Sequence, residues 1–137
     1  MGLGDVYKRQ VGYSADPFGR AALEHGIAEA KLRGSTLRVV NATAGDAYVD
    51  TGFAQSGEVH DVEDHLANCG VEFELTQPVG VDTAEELLKT MERDDAELLV
   101  IGIRHRNPVG KLLLGSVSQH LLLECQKPVL AVKPKDG

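Results

Sequence analysis

The chain is poor in cysteine, in long apolar runs and in positive charge, and each shortage removes a class of function. Its two cysteines, Cys69 and Cys125, with no signal-peptide pattern, point to a reducing compartment in which both are free thiols, and the cytoplasm is the expected location. The longest mainly apolar run, Leu98 to Ile103, falls far short of the ~20 residues that span a bilayer. With 14 lysines and arginines against 21 aspartates and glutamates, the net charge is −7, so a broad basic face for nucleic acid or an anionic membrane is not expected. No repeat or low-complexity segment is present. "VGK" at 109–111 lacks the upstream glycine and following Ser/Thr of a phosphate-binding P-loop. No Ser/His/Asp order, carboxylate pair or activated cysteine stands out, so the chain is not expected to be an enzyme.

What is there suits one globular domain. A length of 137 residues and a 42% hydrophobic content allow one real core. From Pro17 onward, Phe18, Ala22, Leu23, Gly26, Ile27 and Ala30 recur at helical steps, with Asp16 placed to cap the start and Gly34 the end. "TLRVVNAT" reads as a strand, Gly45 to Gly57 as a loop, and Glu58 to Asn68 as a polar helix. "VEFEL" alternates as a strand does, and "DTAEELLKTMERDDA" reads as a helix capped by Asp82. "ELLVIGI" is apolar enough for a strand buried on both faces; Ser116 to Glu124 forms a short helix and "PVLAVK" the last strand. Strict alternation of strand and helix predicts a parallel sheet between helices, and the expected layout is a five-stranded three-layer α/β sandwich, flavodoxin-like, in the order 3-2-1-4-5. The last strand is then an exposed edge, which invites pairing with another chain.

One end departs from this pattern. The first strand of such a sheet is central and should be apolar on both faces, yet Lys8, Arg9 and Gln10 precede Val11. "MGLGDVYKRQ" resembles translated linker DNA, so residues 1–10 are expected to be a non-native leader, residues 11–134 the domain and residues 135–137 a tail.

The stretch "GIRHRNPVGKLLLGS", residues 102–116, gathers Arg104, His105, Arg106 and Lys111 in an otherwise acidic protein. A loop that leaves the carboxyl end of a central strand and enters a helix offers backbone N–H groups and the positive helix end to an anion. Gly102 would permit close approach of an adenosine or ribose, and Gly115 a tight turn. Ser116 could cap the helix or donate to a phosphate, and the four cations could neutralise two or three phosphates. The same residues also suit a solvated loop with an ordinary helix start.

With "VGYSADPFGRAAL" at one end and "LLVIGIRHRNPVGKLLLGSVSQHLL…KPVLAV" at the other, residues 11–133 resemble the universal stress protein family. That resemblance implies a non-enzymatic stress-response protein that binds ATP or a related nucleotide, and a homodimer joined through the last strand. The family's nucleotide-binding branch carries a glycine, two residues, a glycine, nine residues, then Gly-Ser or Gly-Thr. Gly102 and Gly115-Ser116 match the outer elements, whereas His105 stands at the middle glycine. At the first strand the branch commonly has an Asp two residues after the glycine; here Gly12 is followed by Tyr13 and Ser14. The resemblance also brings Ala42, beside Asn41, and Gly110 and Val117 into the nucleotide-binding set. Alternatives are a family dimer without a nucleotide and a nucleotide-using enzyme of related fold. His65 and Cys69, four apart on a helix with His60 and Asp61 nearby, are too few for a structural zinc and read as surface residues, so no metal is expected.

Overall fold

The computed structural model describes residues 8–45, 52–103 and 114–134. Five strands, β1 (Lys8–Gly12), β2 (Thr36–Val40), β3 (Phe73–Thr76), β4 (Ala96–Gly102) and β5 (Val129–Val132), alternate with four helices. The helices are α1 (Pro17–Arg33), α2 (Ser56–Asn68), α3 (Thr83–Met91) and α4 (Ser116–Glu124). All strand pairs are parallel, as the alternation of elements predicts, and the order β3-β2-β1-β4-β5 is the expected one. Among the described residues, no helix is long and apolar enough to cross a membrane.

Two apolar layers flank the sheet. On one side Ala22, Leu23, Ile27 and Ala30 of α1 and Val62 and Leu66 of α2 pack against Val11, Leu37, Val39 and Val100. On the other, Ala84, Leu87 and Met91 of α3 and Leu121 of α4 meet Val40, Leu99 and Ile101. Because strand side chains alternate in direction, β4 feeds both layers, and this is why its sequence is almost wholly apolar. Helix α1 begins where expected: Pro17 occupies its first turn and the Asp16 carboxylate accepts the Gly19 N–H at 2.9 Å. It ends at Gly34, whose φ of 63° is the left-handed turn that glycine adopts without a Cβ penalty.

Several boundaries shift by a few residues, and two differences bear on the architecture. Helix α3 was expected to run through Ala96 but stops at Met91, with Glu92 as its C-cap. The following residues turn the chain back so that Ala96 can open β4, and Asp95 becomes a tie-point: its C=O accepts the Lys8 N–H at 2.8 Å, and its Oδ2 accepts from Lys8 Nζ at 3.2 Å and Arg38 at 3.4 Å. The second difference is at the start. Lys8, Arg9 and Gln10, expected to stand outside the domain, form the first part of the central strand and pair with both β2 and β4. Arg9 is buried and reaches Glu97 at the sheet's amino end, with Glu29 at 4.0 Å. Burial lowers the Arg9 pKa, the Arg33 charge lowers it further, and Glu29 opposes both. Gln10 is fully buried, and neither atom of its amide has a hydrogen-bond partner among the described residues.

Candidate functional site

In a sheet of this order the chain leaves β1 and β4 toward opposite faces, so their carboxyl ends part and open a crevice. A cavity of about 280 Å³ lies there. Its floor is the strand ends: Gly12 and Tyr13 after β1, Val40, Asn41 and Ala42 after β2, and Ile101 and Gly102 of β4. The start of α1, from Ser14 to Gly19, forms one wall; Thr83 and Leu87 of α3 and Gly115, Val117, Ser118 and Leu121 of α4 form the other.

Asn41 fixes the floor. It is 2% exposed, and its Nδ2 donates to the C=O groups of Tyr13 at 2.8 Å and Gly52 at 3.0 Å. Its Oδ1 accepts from the Ala54 N–H at 2.7 Å and from Gln77 Nε2 at 3.0 Å. One side chain therefore ties the end of β2 to the segments after β1 and β3 and to the chain entering α2. A buried amide satisfied on both sides orders the backbone around it. Tyr13 is held as well: its N–H donates to the Val40 C=O at 2.9 Å, and its hydroxyl donates to Glu58 of α2. Burial pushes the Tyr13 pKa far above the ordinary tyrosine range and the bond to Glu58 pushes it further, so the hydroxyl remains a neutral donor.

The two walls differ in electrostatics. At α1 the helix end is closed: Asp16 takes the Gly19 N–H, and Ser14 Oγ donates to the same carboxylate at 2.8 Å. At α4 it is open. Gly115 is the N-cap, with φ −65° and ψ 159°, and no side chain among the described residues caps the first turn. The positive end of α4 thus faces the crevice with backbone donors to spare. Val40, Leu87, Ile101 and Leu121 add apolar surface to its lining, so the cavity offers an apolar seat beside an anion-attracting helix end.

Six of the residues singled out from the sequence line this cavity: Gly12, Ser14, Ala42, Gly102, Gly115 and Val117. Arg104, His105, Arg106, Gly110 and Lys111 lie outside the described residues. Ser116 is the first helical residue, not the cap; its side chain is exposed and does not line the cavity, and Ser118 stands there instead. Gly115 needs no left-handed turn. Gly102 is required for a reason the sequence hides: a Cβ there would lie 2.1 Å from the Phe18 carbonyl oxygen, because the start of α1 crosses directly over β4. Asp16, Phe18, Thr83, Leu87, Ser118 and Leu121 were not singled out for the site. Leu87 and Leu121 carry the same apolar spacing as any core residue and gave no separate signal. The proposed surface pair is also partnered: His65 Nε2 lies 2.7 Å from Glu24 Oε2, and its other ring nitrogen is 4.0 Å from Cys69 Sγ.

Comparison with known proteins gives a consistent picture. The model of the universal stress protein family matches residues 8–133. A universal stress protein of Mycolicibacterium smegmatis is 77% identical over 124 residues, covering 90% of this chain and 95% of that one. The universal stress protein of Archaeoglobus fulgidus has a similar structure, with a TM-score of 0.68 and 26% identity over 93% of this chain and 98% of that chain. Its structure in complex with dAMP aligns at a TM-score of 0.62 and 22% identity, with the same coverage of both chains. A family protein from Arabidopsis thaliana with AMP bound aligns at 0.64 and 15% identity, covering 94% of this chain and 92% of that chain. Together with the strand order and the crevice between β1 and β4, these matches establish that the chain belongs to the universal stress protein family.

Proposed function

We propose that this chain is a non-enzymatic adenine-nucleotide receptor, with ATP or a related nucleotide held in the crevice at the carboxyl ends of β1 and β4. The observation that carries this reading is the uncapped amino end of α4 beside an apolar seat. An adenine ring suits the surface of Val40, Leu87 and Ile101. The ribose hydroxyls suit the Asp16 carboxylate and Ser14, and the phosphates the N–H groups that open α4. Arg104, Arg106 and Lys111 belong to the segment that joins β4 to α4, so their charge supports the same phosphate end. Relatives solved with dAMP and AMP support the ligand class.

A second reading, a family member that has lost its nucleotide, is favoured by His105 at the middle glycine and by a carboxylate, Asp16, inside the cavity. Mass spectrometry of the small molecules released on denaturing the purified protein, together with melting curves in added ATP, ADP and AMP, separates the two. The nucleotide reading predicts a released adenine nucleotide or a melting shift that grows with concentration. Neither result in any of the three would support the second reading.

The same proposal includes a homodimer paired along β5, in the cytoplasm. Strand β5 is an edge of the sheet and most of its residues are only half-buried. Leu99 N–H donates to the Pro128 C=O and Ile103 N–H to the Val132 C=O, so by the alternation of a parallel ladder Ala131 directs its N–H away from β4. Ala131→Pro therefore removes an outward donor and spares the β4 ladder. A halved mass in sedimentation with an unchanged far-ultraviolet spectrum is the expected outcome; an unchanged dimer mass places the interface elsewhere.

A further inference from the structure

Away from the crevice, the amino end of α3 and the middle of α4 bring three potential metal ligands together. Asp82 is the N-cap of α3, and its Oδ2 accepts the Glu85 N–H at 2.9 Å, which fixes the carboxylate and leaves Oδ1 directed outward. Glu85 lies three residues on, on the same side of the first turn. His120 projects from α4, and its Nε2 is 3.2 Å from Glu85 Oε2. One ligand atom from each of the three lies within 4.8 Å of the others. None of the three lines the crevice.

We propose that Asp82, Glu85 and His120 form a divalent transition-metal site of the zinc class that staples α3 to α4. Tetrahedral zinc with bonds of about 2.0–2.2 Å places its ligand atoms roughly 3.4 Å apart, close to the 3.2 Å already present between His120 Nε2 and Glu85 Oε2. The Asp82 carboxylate is exposed, and the oxygen that does not take the cap bond closes the set. An imidazole nitrogen from a second helix distinguishes this group from an ordinary acidic patch. Nitrogen with carboxylate oxygen favours zinc, cobalt or nickel over magnesium and calcium, and the lack of thiolate disfavours copper(I). Two carboxylates match the charge of a divalent ion, and three protein ligands leave a fourth position for water. In the metal-free protein His120 Nε2 lies 3.2 Å from Glu85 Oε2, and metal binding replaces that contact with a bond from each group to the ion. The unfolded chain does not hold residues 82 and 85 near residue 120, so the metal binds the folded form selectively and stabilises it.

The test is calorimetric titration of the full chain with zinc chloride in a buffer that does not chelate, paired with melting curves. One zinc per chain is expected, with a melting temperature that rises with zinc. His120→Gln and Glu85→Gln, both of which keep the Asp82 cap, should each weaken binding by at least about tenfold and remove the thermal shift. His65→Gln controls for the His65–Cys69 pair and should leave zinc affinity unchanged. Cobalt substitution should give a visible spectrum without a thiolate charge-transfer band. The proposal is overturned if the parent binds no zinc up to millimolar concentration. It is equally overturned if His120→Gln and Glu85→Gln bind as the parent does, or if His65→Gln alone abolishes binding.

Discussion

Gly102→Ala should strongly destabilise the fold, whereas Gly115→Val should leave the fold intact and remove the ligand. The two glycines flank one loop, and the sequence motif treats them alike. At position 102 an added Cβ would sit 2.1 Å from the Phe18 carbonyl oxygen and 2.6 Å from its carbon, distances that real Cβ atoms do not show. Those are backbone atoms in the first turn of α1, pinned by the Asp16 cap, so no side-chain rotation can relieve the clash. Overpacking ordinarily costs about 1–3 kcal/mol, and a clash with fixed backbone lies at or above the top of that range. At about 4 °C per kcal/mol for a domain of this size, the melting temperature should fall by roughly 10 °C or more. At position 115 no atom of the described residues lies within 4 Å of the added Cβ, and the backbone is extended, which valine adopts readily. Its branched side chain would instead stand at the mouth of the crevice, over the donors that open α4. Melting curves of both variants should therefore diverge, with Gly115→Val close to the parent in stability while its nucleotide binding is lost.

Gln10→Leu should stabilise the protein. The side chain of Gln10 is fully buried in the central strand between Arg38 of β2 and Leu99 of β4, with its amide unpartnered among the described residues. A buried polar group without a partner costs about 1–3 kcal/mol, and a leucine of similar size contributes apolar burial in its place. An increase of about 2–4 kcal/mol, or roughly 8–15 °C in melting temperature, follows at the same conversion. Denaturant unfolding of the parent and the variant checks it. A variant less stable than the parent would mean that the Gln10 amide has a stabilising role.

The polar start of β1 also shows where sequence reasoning loses its grip. Three polar residues in a central strand conflict with its apolar surroundings, and that conflict was legible. That the strand forms nonetheless follows from side-chain length: Lys8 and Arg9 lie near the sheet's amino end, where their charged heads reach Asp95 and Glu97, while the shorter Gln10 cannot escape. Elements fixed by local chemistry were readable in advance. Asp16, Gly34 and Asp82 cap the helices they were expected to cap, and the alternation of strand and helix implied the parallel sheet between helical layers. The end of α3 was not readable, because "ERDDA" has helical composition and only the path into β4 makes it a turn. The crevice was half readable. Strand-end residues such as Gly12 and Ala42 follow from topology, but Leu87 and Leu121 come from helices whose apolar stripe serves core and cavity alike. His120 and Glu85 are 35 residues apart and meet only through the packing of α3 on α4.

The central claim, an adenine nucleotide in the β1–β4 crevice, is tested most directly by isothermal titration of ATP, ADP and AMP into the parent chain and into His105→Gly, Gly115→Val and the double variant Arg104→Ala with Arg106→Ala. The parent should bind at least one of the three nucleotides, and Gly115→Val should bind none. The double variant should be at least tenfold weaker, since charge-assisted hydrogen bonds contribute about 1.5–3 kcal/mol each. His105→Gly should bind more tightly if histidine only occupies the glycine's place, and more weakly if the imidazole contacts phosphate. The absence of heat with all three nucleotides, in the parent and in His105→Gly alike, would contradict the claim and leave a universal stress protein fold without its nucleotide.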